Sequence, residues 1–238
     1  MEILYEDNHL IIINKAPGEI VQGDKTGDEP VSEKLKAFLK EKYHKPGNVF
    51  VGVVHRLDRP VSGAVIFAKT SKALSRMNAL VADKDKVTKT YWAIVEKSPA
   101  LPEGKAVHWL KRNEAQNKSY VTAPHAPGAK EALLEYRTLF TGDHYILLEV
   151  RLLTGRHHQI RAQLAALGSP IKGDLKYGAK RSNAGGSISL HARELTFVHP
   201  VSKSIISVMA PFPPGSDELF GKFAKEIERL DDRPFQVR

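Results

Sequence analysis

The stretch that decides the fold is Leu133-Leu134-Glu135-Tyr136-Arg137-Thr138-Leu139-Phe140-Thr141-Gly142-Asp143-His144-Tyr145-Ile146-Leu147-Leu148-Glu149-Val150-Arg151-Leu152-Leu153. Two β-rich runs, Leu133 to Phe140 and Tyr145 to Leu153, flank Gly142-Asp143, which supplies the backbone freedom of a tight hairpin turn. Two strands joined this closely must run antiparallel. Nearer the N-terminus, Ile3 to Asn14 reads as two short strands around Glu6-Asp7-Asn8, closed by Ala16-Pro17-Gly18. Two such joints argue against a regular parallel sheet. Further strands are expected at Val49–Val54, a nearly continuous apolar run, and at Ala64–Ala68, Thr90–Val95 and Ile188–Val198.

Helical spacing appears at four places. Val31, Leu35, Phe38, Leu39 and Tyr43 recur at that spacing after the start signals Asp28 and Pro30. Ala73, Leu74, Met77, Leu80 and Val81 follow Ser71, read as a cap. Ile160, Leu164 and Leu167 precede the stop signals Gly168 and Pro170, and Leu219, Phe220, Phe223, Ile227 and Leu230 form a final amphipathic stripe. Lys111 to Lys118 and Arg181 to Gly186 read as loops. The fold class is α+β, with a large mixed or antiparallel β-sheet and flanking helices. One domain over 1–238 is expected. The turn-rich segment Pro99–Gly104 is the best candidate for a subdomain joint.

Composition narrows the function. The 238 residues are 42% hydrophobic and 26% charged, an ordinary globular balance. No apolar run is long enough to cross a bilayer, and the acidic start Met1 to Asp7 is unlike a signal peptide. Cysteine is absent, which removes disulfides, thiolate nucleophiles and Cys-bound zinc and fits a reducing cytoplasm. Net charge is +9, with pI about 9.6. Basic residues gather at 105–118 and 172–181, and acidic ones at Glu226, Glu228, Asp231 and Asp232. Patchy positive charge favours a polyanion-binding face.

Four segments can carry chemistry. In Val54-His55-Arg56-Leu57-Asp58-Arg59-Pro60-Val61-Ser62-Gly63 a loop between strands presents a carboxylate with an arginine on each side, which would keep it ionised. Taken alone, the plainer reading is a turn aspartate. In Thr154-Gly155-Arg156-His157-His158-Gln159-Ile160-Arg161, Arg161 lies beside an apolar helical stripe and needs an anion. The first turn of that helix could also receive phosphate. Adjacent histidines on a helix point about 100° apart, so His157 and His158 make a poor metal pair. In Lys89-Thr90-Tyr91-Trp92-Ala93-Ile94-Val95, Tyr91, Ala93 and Val95 share a face, and Tyr91 either stacks on a base or fills the core. In Ser189 to Pro200, Leu190 could form an apolar wall.

Together, in this order, these segments resemble the RluA-type family of RNA pseudouridine synthases. The resemblance runs from Ile3 to about Pro211. It is carried by His55-Arg56-Leu57-Asp58 with Ser62-Gly63, then Lys89-Thr90-Tyr91-Trp92-Ala93, then Gly155-Arg156-His157-His158-Gln159-Ile160-Arg161. Pro170-Ile171-Lys172-Gly173-Asp174-Leu175-Lys176-Tyr177-Gly178, Leu190-His191-Ala192 and His199-Pro200 complete it. Val61, His157 and Gln163 depart from the family's usual Thr, Thr and His, and could alter substrate contacts. The pattern begins almost at Met1, so the S4-type RNA-binding domain of many relatives is expected to be missing.

The resemblance implies a pseudouridine synthase-like fold and conversion of specific uridines in rRNA or tRNA to pseudouridine, with no cofactor and no metal. It implies Asp58 as the catalytic carboxylate, which either attacks the sugar or removes a sugar proton. Arg161 would pair with it and Tyr91 would stack on the flipped uracil and assist proton removal at C5. Leu190, Arg56, His55 and Arg156 would contact substrate. RNA is the expected partner, with no membrane, no obligatory protein partner, a monomer and a cytoplasmic location. The rival readings are a non-catalytic RNA-binding or ribosome-assembly factor on the same fold, and a hydrolase.

Overall fold

A computed structural model describes residues 1–24, 26–83 and 86–231, with the side chains of Leu230 and Asp231 and all of Asp232 outside the described part. The helical reading of Leu230 and the acidic cluster's Asp231 and Asp232 therefore lie beyond what is described at side-chain level.

The strands are β1 (Glu2–Glu6), β2 (Leu10–Lys15), β3 (Gly52–Val53), β4 (Ser62–Ala68), β5 (Val87–Val95), β6 (Glu103–Asn113), β7 (Lys118–Thr122), β8 (Lys130–Thr141), β9 (Ile146–Leu152), β10 (Leu190–Val198) and β11 (Ile205–Met209). The helices are α1 (Val31–Lys42), α2 (Ser71–Ala82), α3 (Gln159–Ala166) and α4 (Leu219–Asp231). All described strands join one sheet in the order β1-β2-β4-β10-β5-β9-β8-β6-β7, with β11 on β10 and β3 on β4. Both hairpins read from the sequence are present: β1–β2 and β8–β9 are antiparallel neighbours. The single parallel contact among the described strands is β4 against β10, so the sheet is mixed, as expected for an α+β fold.

Strand periodicity of two sorts the side chains onto two faces. Ile11, Ile13, Val65, Phe67, Tyr91, Ala93 and Val150 join a core that also holds Val31, Leu35 and Leu39 of α1 and Ile160 and Leu164 of α3. On the other side Leu10, Ile12, Ala64 and Ile66 pack with Ala73 and Met77 of α2. Ile94 and Leu147 pack with Phe220 and Phe223 of α4. Both faces are therefore covered, which explains why β2 and β4 are buried at every position.

Several local expectations need correction. Val49–Val54 is not a six-residue strand. Gly52 and Val53 pair with β4 and the Val54 N–H donates to the Ile66 carbonyl at 3.3 Å, while Phe50 is exposed. The apolar residues there reach the core from irregular chain. Strand β6 runs from Glu103 to Asn113, taking in the end of the expected joint and the start of the expected loop, and β11 has no counterpart among the expected strands. Thr70, not Ser71, caps α2, its hydroxyl accepting from the Ala73 N–H at 3.1 Å. Asp28 does not cap α1 but pairs with Arg59 at 2.6 Å.

Candidate active site

One register row crosses the sheet beneath the site: Lys15, Gly63, Ala192, Tyr91, Val150 and Tyr136 stand side by side on six successive strands. Gly63 is the tight point of this row. Its φ is +115°, and a Cβ there would lie 2.3 Å from the Ala192 carbonyl oxygen. Only glycine permits that approach, and the approach lets β4 meet β10. The loop carrying Asp58 enters β4 just before it. Tyr91, central in β5, and Leu190, at the start of β10, belong to the core on the same face.

Asp58 is partly exposed. Arg161 Nη1 donates to its Oδ2 at 2.9 Å. The arginine is itself buried and is gripped from behind by Asp174, with Nε to Oδ2 at 2.7 Å and Nη2 to Oδ1 at 2.9 Å. Burial alone would weaken a guanidinium's charge, but the two carboxylates raise its pKa above its already high value. Asp174 thus neutralises the buried guanidinium and fixes its plane, and the remaining edge reaches across 103 residues of sequence to Asp58.

The arginines adjacent to Asp58 in sequence do not pair with it. Arg59 turns away to Asp28 and Thr26, each at 2.6 Å. Arg56 is exposed and has no hydrogen-bond or ion-pair partner among the described residues. His55 faces inward, where its Nε2 accepts from the Ile66 N–H at 3.2 Å. Burial, helped by the Lys89 charge, pushes its pKa down to about 3, so it acts as a neutral strut between loop and strand. Arg156 stands exposed at the rim, its Nε donating to the Glu131 carbonyl at 2.9 Å. The structure therefore brings Asp58 and Arg161 into contact, with Tyr91 and Leu190 in the adjoining core, and sets Arg56 and Arg156 outside.

Tyr91 is buried, and its hydroxyl has no hydrogen-bond partner among the described residues. Burial and the negative charge of Asp58 both raise its pKa, which keeps the phenol protonated.

The two histidines precede α3 instead of lying on it. His158 has a left-handed backbone (φ 51°), and its ring stacks on His157 with centroids 3.8 Å apart. Among the described residues no cluster of three or more His, Asp or Glu could hold a metal. The α3 start is buried and its Gln159 N–H is taken by the Arg156 carbonyl, so it does not offer phosphate an open site. Gln163 is fully buried and donates to the Ala106 and Ala132 carbonyls, each at 3.1 Å, and Val61 is buried too. Those two departures cannot touch a substrate directly.

The sequence profile described as RNA pseudouridylate synthase matches residues 9–166. The chain belongs to that family. The synthase is 33% identical over 251 residues to the ribosomal large subunit pseudouridine synthase D of Haemophilus influenzae, covering 98% of this chain and 74% of the relative. It is 30% identical over 249 residues to the tRNA pseudouridine synthase C of Vibrio parahaemolyticus, covering 96% and 97%. The solved human RNA pseudouridylate synthase domain containing 4 superposes with a TM-score of 0.75 at 22% identity, covering 98% of this chain and 95% of that one. That likeness supports the fold. The synthase is accordingly an RluA-type enzyme, an isomerase acting on RNA.

Three residues around the synthase's carboxylate escaped the sequence reading. Asp174 stands within the Pro170 to Gly178 motif, and a buried Asp after a Gly in a loop signals a buried cation. Tyr177 donates or accepts toward His158 Nδ1 at 3.0 Å. Lys15 ends an isoleucine run with its side chain fully buried, its Nζ donating to the Ala16, Glu19 and Arg59 carbonyls at 2.8, 2.9 and 3.2 Å. Burial pushes its pKa down to about 7, opposed by the charges of Glu19 and Asp58. It ties the segment after β2 to the Asp58 loop.

Proposed function

We propose that the chain converts uridine to pseudouridine in ribosomal RNA or tRNA, with Asp58 as the catalytic carboxylate. The observation that carries this reading is the ion pair from Arg161 Nη1 to Asp58 Oδ2 at 2.9 Å, braced by buried Asp174. It holds one carboxylate oriented beside the apolar core that carries Tyr91 and Leu190. In the reaction the bond from uracil N1 to the ribose C1′ breaks and a bond from C5 to C1′ forms. The C5 hydrogen leaves to solvent and N1 gains a proton, so no electron is exchanged and no cofactor is consumed. The anionic carboxylate serves whether it attacks C1′ or removes a sugar proton.

The uridine must leave its stack to reach a carboxylate in this position. Tyr91 then stacks on the flipped base, and Leu190 packs beside it. Arg56, exposed and without a partner among the described residues, contacts the backbone or fills the vacated stack, and Arg156 meets phosphate at the rim. The net charge of +9 supports RNA binding that weakens as salt rises. Relatives named for ribosomal and transfer RNA support both substrate classes. In this reading residues 1–238 act as one catalytic domain, as a cytoplasmic monomer.

The test is tritium release from RNA carrying 5-tritiated uridine. The unaltered enzyme releases tritium in the presence of chelator, and Asp58→Asn lowers release by more than about 10³-fold while its thermal unfolding stays cooperative. Release by a folded Asp58→Asn enzyme would sink the mechanism. Binding to RNA without release by the unaltered protein would favour a non-catalytic RNA-binding factor.

A further inference from the structure

We propose that His158 and Tyr177 are positioning residues for Asp58: they form a relay from the β6–β7 hairpin that fixes Oδ2 as the anchored oxygen and leaves Oδ1 for the chemistry. The inference deepens the synthase reading and rests on it.

The direction of the relay follows from donor counting. The Ser119 N–H donates to the Tyr177 hydroxyl oxygen at 2.8 Å. That oxygen's own hydrogen is then free to be given away. His158 Nδ1, 3.0 Å from it, stands in position to accept it. A ring that accepts at Nδ1 carries its proton on Nε2. His158 Nε2 stands 3.5 Å from Asp58 Oδ2, the same oxygen that Arg161 holds. The approach is longer than a formed hydrogen bond in the free protein, and such contacts tighten when substrate is bound.

The histidine is built to be a neutral donor. Burial pushes its pKa down to about 2, and the surrounding cations Arg161, Lys176 and Arg112, with the neighbouring His157, act in the same direction. The contact with Asp58 is therefore a dipole meeting a carboxylate and not an ion pair. It carries no net proton, so its effect is on orientation.

The ring is held from two further sides. Its left-handed backbone is a conformation that non-glycine residues adopt at a cost, kept where surroundings over-determine it. His157 stacks on it and is itself tied to Ser119 Oγ at 2.9 Å and Asn117 Oδ1 at 3.1 Å. Both histidines are thus fastened to the β6–β7 hairpin, whose turn and second strand hold Asn117, Lys118 and Ser119. No hydrogen bond to Asp58 Oδ1 occurs among the described residues. With two donors addressed to Oδ2, Oδ1 is the oxygen left for the sugar.

Two measurements test the relay. Nitrogen-15 spectra of the full-length protein, histidine-labelled and without RNA, read the His158 tautomer directly. The expected state at pH 7 is neutral with the proton on Nε2, and Tyr177→Phe should lose that preference. A proton on Nδ1 in the unaltered protein would overturn the proposal. Turnover on 5-tritiated RNA supplies the second readout. His158→Ala and Tyr177→Phe should each lower kcat roughly ten- to a hundredfold with KM for RNA unchanged. His158→Gln, whose amide N–H can stand where Nε2–H stood, should recover most of the loss. Full kcat in both His158→Ala and Tyr177→Phe, or no recovery in His158→Gln, would also overturn it. The tautomer is read without substrate, so an unaltered protein inert toward uridine would refute the synthase reading while the ring's protonation still decided the relay.

Discussion

At the scale of single residues, sequence neighbours are poor guides to charge partners. Arg56 and Arg59 flank Asp58, and neither pairs with it. The loop turns at Pro60, so adjacent side chains diverge, and the partner comes from α3. Tyr91 shows the complementary case. Its neighbours fill the core in strict alternation, but its hydroxyl has no partner among the described residues and is not one of the fully enclosed polar atoms, so it is open to a partner from outside the fold. The raised pKa means the phenol meets substrate as a protonated group. Tyr91→Phe should therefore keep RNA affinity, because the stacking ring remains, and lower kcat by roughly 10²-fold. Equal kcat values for the two proteins would remove the hydroxyl from the mechanism.

At the scale of elements, the short helix α3 and the loop before the turn at Leu175–Tyr177 act as one clamp. Asp174 holds one edge of a guanidinium that is 5% exposed, through both Nε and Nη2, so removing its charge strands a buried cation. Asp174→Asn should lower stability by about 3 kcal/mol and reduce kcat, although Asp174 lies behind Arg161 and away from substrate. Urea unfolding and tritium release measure the two effects, and unaltered stability would mean the clamp is not formed. Legibility of the elements follows their burial. The β8–β9 hairpin, α1 and the α4 stripe were readable because each puts apolar residues at its own period. Strand β6 was not: at the far end of the sheet its side chains are mostly exposed, and residues such as Lys105, His108 and Lys111 obscure any alternation. The Val49–Val54 run misled for the opposite reason, since apolar residues can enter a core without pairing. The site itself was legible as a set of motifs. The geometry among Asp58, Arg161, Asp174, His158 and Tyr177 was not, because each contact joins segments distant in sequence or separated by a turn.

At the scale of the molecule, buried neutral histidines make the fold sensitive to acid. Burial pushes the pKa of His55 down to about 3, of His158 to about 2 and of His191 to about 4, the last partly offset by its bond to the Ala210 carbonyl. In the unfolded chain each titrates near 6.5. Below that pH the unfolded chain binds protons that the native protein refuses, so stability is full above about 6.5 and falls as pH drops. The expected loss is about 2 kcal/mol from each histidine at pH 5. Urea midpoints at pH 7.5 and pH 5 check this, and equal midpoints would contradict it. Lastly, β10 stands between β4 and β5, which do not pair with each other. Without it the sheet is two separate pieces, one ending in the strand that Asp58 precedes and the other beginning with the strand of Tyr91. During synthesis those pieces emerge early, but the strand that joins them, Leu190–Val198, comes only in the last quarter of the chain. A nascent chain therefore has no assembled site until that strand is free to insert, and the enzyme cannot act on RNA while its own translation is still short of that point.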